Sequence, residues 1–68
     1  MNERLLKKAD VLAITSLSLT EIVRGEKAGT FPKRVPLSPK RVVWVGSEIE
    51  AWVQNKIKSA RGNDDASV

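Results

Sequence analysis

A small α+β fold, a winged helix-turn-helix, is what the sequence predicts, and three observations predict it. Two short helical segments are separated by only three or four residues around Thr15-Ser16-Leu17. Two β-rich runs flank the turn sequence Ser38-Pro39-Lys40. The chain then closes on an amphipathic stripe, Ile49, Trp52, Val53 and Ile57, spaced i, i+3, i+4 and i+8. Helix, turn, helix, hairpin, helix is the order in which a winged helix-turn-helix is built, with two short helices, a β-hairpin wing and a C-terminal helix.

Size and composition narrow the possibilities further. A chain of 68 residues makes one domain and buries only about 60% of the surface its unfolded form exposes. With no Cys and no His it has neither disulfides nor the ligands of almost any structural zinc site, so an apolar core must hold it. The same absences argue against an enzyme. There is no imidazole base, no thiol nucleophile and no Tyr, and apart from Glu48/Glu50 and Asp64-Asp65 the carboxylates are scattered singly. A core this small hardly encloses a walled pocket. No catalytic set, cofactor or metal is expected. No apolar run approaches the roughly 18 residues of a membrane span. Met1–Lys8 lacks the apolar segment of a signal peptide, and the expected location is cytoplasmic.

Each element has its own local signal. Residues 3–6 are too brief to classify. A first helix is expected from about Ala9 to Ile14, with Val11, Leu12 and Ile14 apolar and Asp10 in the first turn, where negative charge favours the helix dipole. Thr15-Ser16-Leu17 reads as a tight connection of two turn formers and an apolar anchor. Ser18-Leu19-Thr20-Glu21 fits the capping box S/T-x-x-E, which opens a second helix over Leu19–Ala28. Gly29 is placed to end it in the left-handed conformation, and Pro32 prevents its continuing. Lys33–Leu37 and Arg41–Val45 form the hairpin, with Ser and Pro in the first two positions of a type I turn. Pro36 lacks an N–H, which puts its strand at a sheet edge. A second capping box, Ser47-Glu48-Ile49-Glu50, predicts the start of the last helix, and Lys56 and Lys58 complement its dipole. Past Arg61 apolar periodicity ceases. The domain is therefore assigned to residues 1–60 and a disordered tail to 61–68.

Charge points to the partner. Twelve Lys and Arg against eight acids give +4, and residues 1–61, without the two tail aspartates, carry +6. A basic small domain suggests a polyanion, most often nucleic acid, the alternative being a merely soluble basic protein. The hairpin carries Lys33, Arg34, Lys40 and Arg41 inside a stretch of twenty residues, between Lys27 and Glu48, without an acid. These four are candidate phosphate contacts of a wing, against the plainer reading of an edge strand guarded by charge. On the second helix the candidate DNA-binding residues are Ser18, Thr20, Glu21, Arg24 and Lys27. Arg24 suits guanine, Thr20 a phosphate or base, and Glu21 cytosine N4, although capping is the stronger claim on Glu21. Leu19 suits either a thymine methyl or the core. Gly25 costs about 1 kcal/mol in mid-helix, and admits close approach of another backbone or DNA, or simply weakens the helix. Trp44 and Trp52 read as core residues, with stacking on an unpaired base as the alternative.

The pattern Arg4-Leu5-Leu6, Asp10-Val11-Leu12, Leu17-Ser18, Ile22, Arg24, Ala28-Gly29 with Phe31-Pro32-Lys33, and Trp44 followed by Ser47-Glu48-Ile49 and Ala51-Trp52 resembles the AlpA family of phage and prophage regulators. These are relatives of excisionase and MerR-type winged helix-turn-helix proteins, and the resemblance covers about residues 3–57. It implies a double-stranded DNA-binding protein of a mobile element that regulates transcription, for example of an integrase gene, or assists excision. Implied partners are duplex DNA, further copies of the chain as a dimer or in a row along DNA, and an integrase or host regulator. The second helix departs from the family pattern: Val23 precedes Arg24 where an aromatic is usual, and Gly25 and Glu26 replace typically apolar residues. The rival reading is an adaptor or inhibitor that uses the same fold to bind a host regulator.

Overall fold

The computed structural model describes residues 3–67, with side chains over 3–62. Its elements run β1 (Leu5–Leu6), α1 (Lys8–Thr15), α2 (Leu19–Ala28), β2 (Val35–Ser38), β3 (Arg41–Val45) and α3 (Gly46–Ser67). This is the expected winged helix-turn-helix with one strand added. β1, the segment too short to classify, pairs antiparallel with β3 in the register Leu5↔Val45 and Leu6↔Trp44. The sheet order is β1-β3-β2, which leaves β2, with Pro36, on the edge.

Local chemistry ends α1 and starts α2. The Lys7 N–H donates to Asp10 Oδ2 at 3.3 Å, so Asp10 serves one of the orphan donors of α1. At the other end Ser16 adopts a left-handed conformation, φ 62°, and its N–H donates to the Leu12 carbonyl. The Thr15 hydroxyl donates to the Val11 carbonyl and accepts from the Leu17 N–H, which folds the connection tightly enough to turn Leu17 onto the core. α2 begins as expected. The Ser18 hydroxyl accepts from the Glu21 N–H at 3.2 Å, and the Glu21 carboxylate accepts from the Ser18 N–H at 3.0 Å. Gly29, φ 79°, ends it.

The core draws on nearly every element: Leu6 from β1, Val11 from α1, Ile22 from α2, Phe31 from the following loop, Val43 and Trp44 from β3, and Ile49 from α3. β2 is the exception, for all four of its residues are exposed. Within the sheet β2 is held through β3 alone, with a register irregularity between Pro36 and Ser38 that leaves Leu37 without a paired residue. The turn at Pro39-Lys40 closes without a positive φ.

Two expectations about α3 need correcting. The second capping box does not form. Glu3 does the capping: its carboxylate accepts from the Ser47 hydroxyl at 2.7 Å and the Ser47 N–H at 3.1 Å, while the Gly46 N–H donates to the Arg4 carbonyl at 2.7 Å. The reason is geometric. Antiparallel pairing of β1 with β3 carries residues 3 and 4 to the first turn of α3, where unsatisfied N–H groups favour an anion. The apolar stripe is also shorter than its spacing suggests. Ile49 is fully buried, Trp52 and Val53 are half-buried, and Ile57 is exposed. From Gln54 to Gly62 every residue is exposed, so this part of α3 rests on its own backbone hydrogen bonds. The helical backbone nonetheless runs to Ser67, across the segment that composition assigned to a tail, and Val68 lies outside the described residues. Among the described residues no helix is long and apolar enough to cross a membrane.

The Ser47 hydroxyl and then the Ser47 N–H hold the Glu3 carboxyl below its ordinary value of 4.5. A carboxylate whose pKa is depressed by folding stabilises the fold above its unfolded-state pKa, and that stabilisation is lost as pH falls through the folded-state value. Glu3→Gln should accordingly lower the melting temperature by a few degrees at neutral pH, with the difference from the native chain closing in acid. Melting curves recorded from pH 7 down to about 3 would check it; a difference independent of pH would assign the effect to shape and not to charge.

Candidate nucleic-acid interface

Three residues of α2 share its solvent face. Thr20, Arg24 and Lys27 lie at i, i+4 and i+7, all exposed, opposite the fully buried Ile22. The helix is held in place by groups that stand beside this face. Ser18 and Glu21, both candidate contacts, are committed to the N-terminal cap, and the Ser18 N–H, then its hydroxyl, keeps the Glu21 carboxyl below its ordinary range.

On one flank of α2 stands the base of the wing. Val23, Lys27, Lys33 and Arg34 line a shared groove there. Lys33 is exposed, whereas Arg34 is not the free cation that its place in the wing suggested. Its Nε and Nη2 donate to the Glu26 carboxylate at 2.9–3.2 Å, its backbone N–H donates to Glu26 Oε2 at 3.0 Å, and its guanidinium sits 5.1 Å from the Trp44 ring centroid. Among the described residues this is the single ion pair. Trp44 joins it, donating its indole N–H to Glu26 Oε2 at 3.2 Å. Glu26 thus ties the end of α2, the root of the wing and the central strand into one unit, and Arg34 works as a strut. Lys40 and Arg41, at the hairpin turn and the start of β3, are exposed.

On the other flank α2 meets α3 and the loop between α2 and the wing. A Cβ on Gly25 would lie 2.8 Å from the Cβ of Phe31, so the glycine is what lets Phe31 close over the helix. The Gly25 carbonyl in turn accepts from the Thr30 and Phe31 N–H groups. Phe31 meets Trp52 edge-on, with centroids 4.9 Å apart and planes at 67°, and the Trp52 indole N–H donates to the Thr30 carbonyl at 2.9 Å. Trp44 is the core residue expected, while Trp52 is half-buried and packs at the edge of the core.

The sequence profile described as "Prophage CP4-57 regulatory protein (AlpA)" matches residues 4–57. The chain belongs to the AlpA family of prophage regulatory proteins. It is also 34% identical, over 64 residues, to a protein of Enterobacteria phage P4 described as "Uncharacterized protein ORF88"; the match covers 94% of this chain and 73% of that one. The matched span contains all of β1 through β3 and the packed half of α3, so the AlpA pattern and the folded body coincide. Beside the buried Ile22, Gly25 and Glu26 join α2 to its neighbours, Gly25 beneath Phe31 and Glu26 through Arg34 and Trp44. Sequence reasoning treated Gly25 as an open question and missed the role of Glu26. The available signal was that Glu26 is the last acid before Glu48, immediately ahead of the stretch that carries the hairpin cations.

Proposed function

We propose that this AlpA-family chain is a sequence-specific double-stranded DNA-binding regulator of a phage or prophage, acting in transcription control, for example of an integrase gene, or as an accessory in excision. The observation that carries the reading is the pairing of an exposed Thr20/Arg24/Lys27 face on α2 with a wing whose outer strand has all four residues exposed. β2 contributes nothing to the core, so its placement is intelligible as a surface for something outside the chain. The cations at Lys33, Lys40 and Arg41 make that partner a polyanion. In this reading α2 enters the major groove, Arg24 reads a base edge, and Lys33, Lys40 and Arg41 hold phosphates. Arg34 braces the wing through Glu26. A domain of this size has a small footprint, and two or more copies on adjoining sites would extend it.

Fluorescence anisotropy tests this with duplexes from upstream of the protein's own gene and of the nearest integrase gene, against a random duplex. The native chain should prefer a cognate duplex by at least about tenfold and show steep salt dependence. Arg24→Ala should lose about tenfold on the cognate site and much less on random DNA. Lys40→Ala should weaken both alike and make the salt slope shallower by about 0.9. An unchanged ratio of specific to non-specific affinity in Arg24→Ala would remove the base-reading role. Absence of binding to every duplex at low salt would turn the reading toward a protein partner.

A further inference from the structure

The wing accounts for one flank of α2; the opposite flank carries a cation that neither the family nor the wing geometry assigns. Lys56 of α3 lines the groove between α2 and α3 together with Glu21, Arg24 and Trp52. Its ammonium lies 5.5 Å from the Trp52 ring centroid. Trp52 is itself fixed, by its indole bond to the Thr30 carbonyl and by Phe31 against its ring. A lysine normally spends its rotamer freedom on solvent. Here one turn of helix sets it over the face of a fixed aromatic, four residues away, which biases its charge toward the groove that Arg24 also lines. The acid in that groove, Glu21, has its carboxylate turned to the cap at Ser18 and forms no ion pair with Lys56.

We propose that Lys56 is a second phosphate-binding residue, placed on the flank of α2 opposite the wing, so that the backbone of a duplex seated on α2 is held from both sides. The inference rests on the DNA-binding reading above. Its geometry is that of a major groove bounded by two phosphate rows: α2 supplies the base-facing side chains, Lys33, Lys40 and Arg41 meet one row, and Lys56 meets the other. Lys58 provides the contrast. It lies two residues on, along a different stretch of surface with Gln54, Asn55, Ile57 and Arg61, away from α2.

The test compares native chain, Lys56→Ala, Lys56→Arg and Lys58→Ala by anisotropy on the cognate and random duplexes, titrating salt from about 50 to 200 mM. Both lysines are exposed, and melting curves would verify that the variants fold. Lys56→Ala should weaken both duplexes to the same degree and make the slope of log K against log salt shallower by about 0.9, the loss of one phosphate contact. Lys56→Arg should restore the native slope, and Lys58→Ala should leave it unaltered. A Lys56→Ala slope equal to the native one overturns the proposal while leaving DNA binding by α2 and the wing intact. Equal losses in Lys56→Ala and Lys58→Ala also overturn it, since they would reflect net charge alone. A native chain that binds no duplex overturns this proposal and the DNA-binding reading together.

Discussion

Glu26→Ala is expected to destabilise the fold by about 2–4 kcal/mol and to lower its melting temperature by on the order of 10–30 °C. The estimate follows from what the carboxylate leaves behind. The Arg34 side chain is 34% exposed and that of Glu26 only 12%. Exposed pairs are worth about 0–1 kcal/mol, whereas removing one member of a fully buried pair costs about 3–5 kcal/mol. This pair falls between those limits. The substitution also orphans the indole N–H of Trp44, which is fully buried and donates to the same carboxylate; an unsatisfied donor of that kind costs about 1–3 kcal/mol. Glu26→Gln keeps one acceptor oxygen and its shape, so it should recover about half of the loss. Thermal melts followed by circular dichroism in the far ultraviolet, with the near-ultraviolet signal of Trp44 and Trp52 as a probe of tertiary packing, would measure both. A Glu26→Ala chain melting within about 2 °C of the native one would mean that the bonds among Glu26, Arg34 and Trp44 contribute little. In the surviving folded population the wing should also be less well held, because Arg34 is its strut.

Gly25→Ala should be destabilising although alanine is the better helix former. The exchange gains about 1 kcal/mol of helix propensity in an exposed helix interior. Against that, the new Cβ would sit 2.8 Å from Phe31 Cβ. That neighbour is not a flexible side-chain end. It is attached directly to a backbone bonded to the Gly25 carbonyl, and its ring is buried against Trp52. Overpacking of this kind costs about 1–3 kcal/mol. With the stiff backbone placing it at the upper end, the net loss is about 1–2 kcal/mol and the fall in melting temperature about 5–15 °C. Gly62→Ala is the internal control: a Cβ there meets nothing within 4 Å, so the same exchange should be neutral or slightly stabilising. Should both variants gain stability, the close approach at Phe31 would be soft, and propensity alone would govern α2.

What was legible in the sequence lay within a few residues of itself. The start and end of α2 appeared as Ser18, Glu21 and Gly29, because a cap is a hydrogen bond between positions three apart and a left-handed terminus is a property of one residue. The hairpin and the edge placement of Pro36 followed from turn chemistry and a missing N–H, and the exposure of Thr20, Glu21, Arg24 and Lys27 along one side of α2 followed from helical spacing. Where the same local grammar was applied to Ser47 and Glu50 it failed, because a carboxylate 44 residues away reached Ser47 first. β1 has only two residues and no pattern of its own; pairing with β3 defines it. Arg34 looked like any other cation of the wing until the fold set Glu26 against it, and Gly25 looked like a weakness until Phe31 closed over it. The sequence by itself determined the two short helices, the turn between them, the hairpin, the start of the last helix and where the positive charge lies. Only the tertiary structure decided which charges are spent inside the molecule and which stand free, because an ion pair or a close contact between distant segments exists only once the chain has folded back on itself.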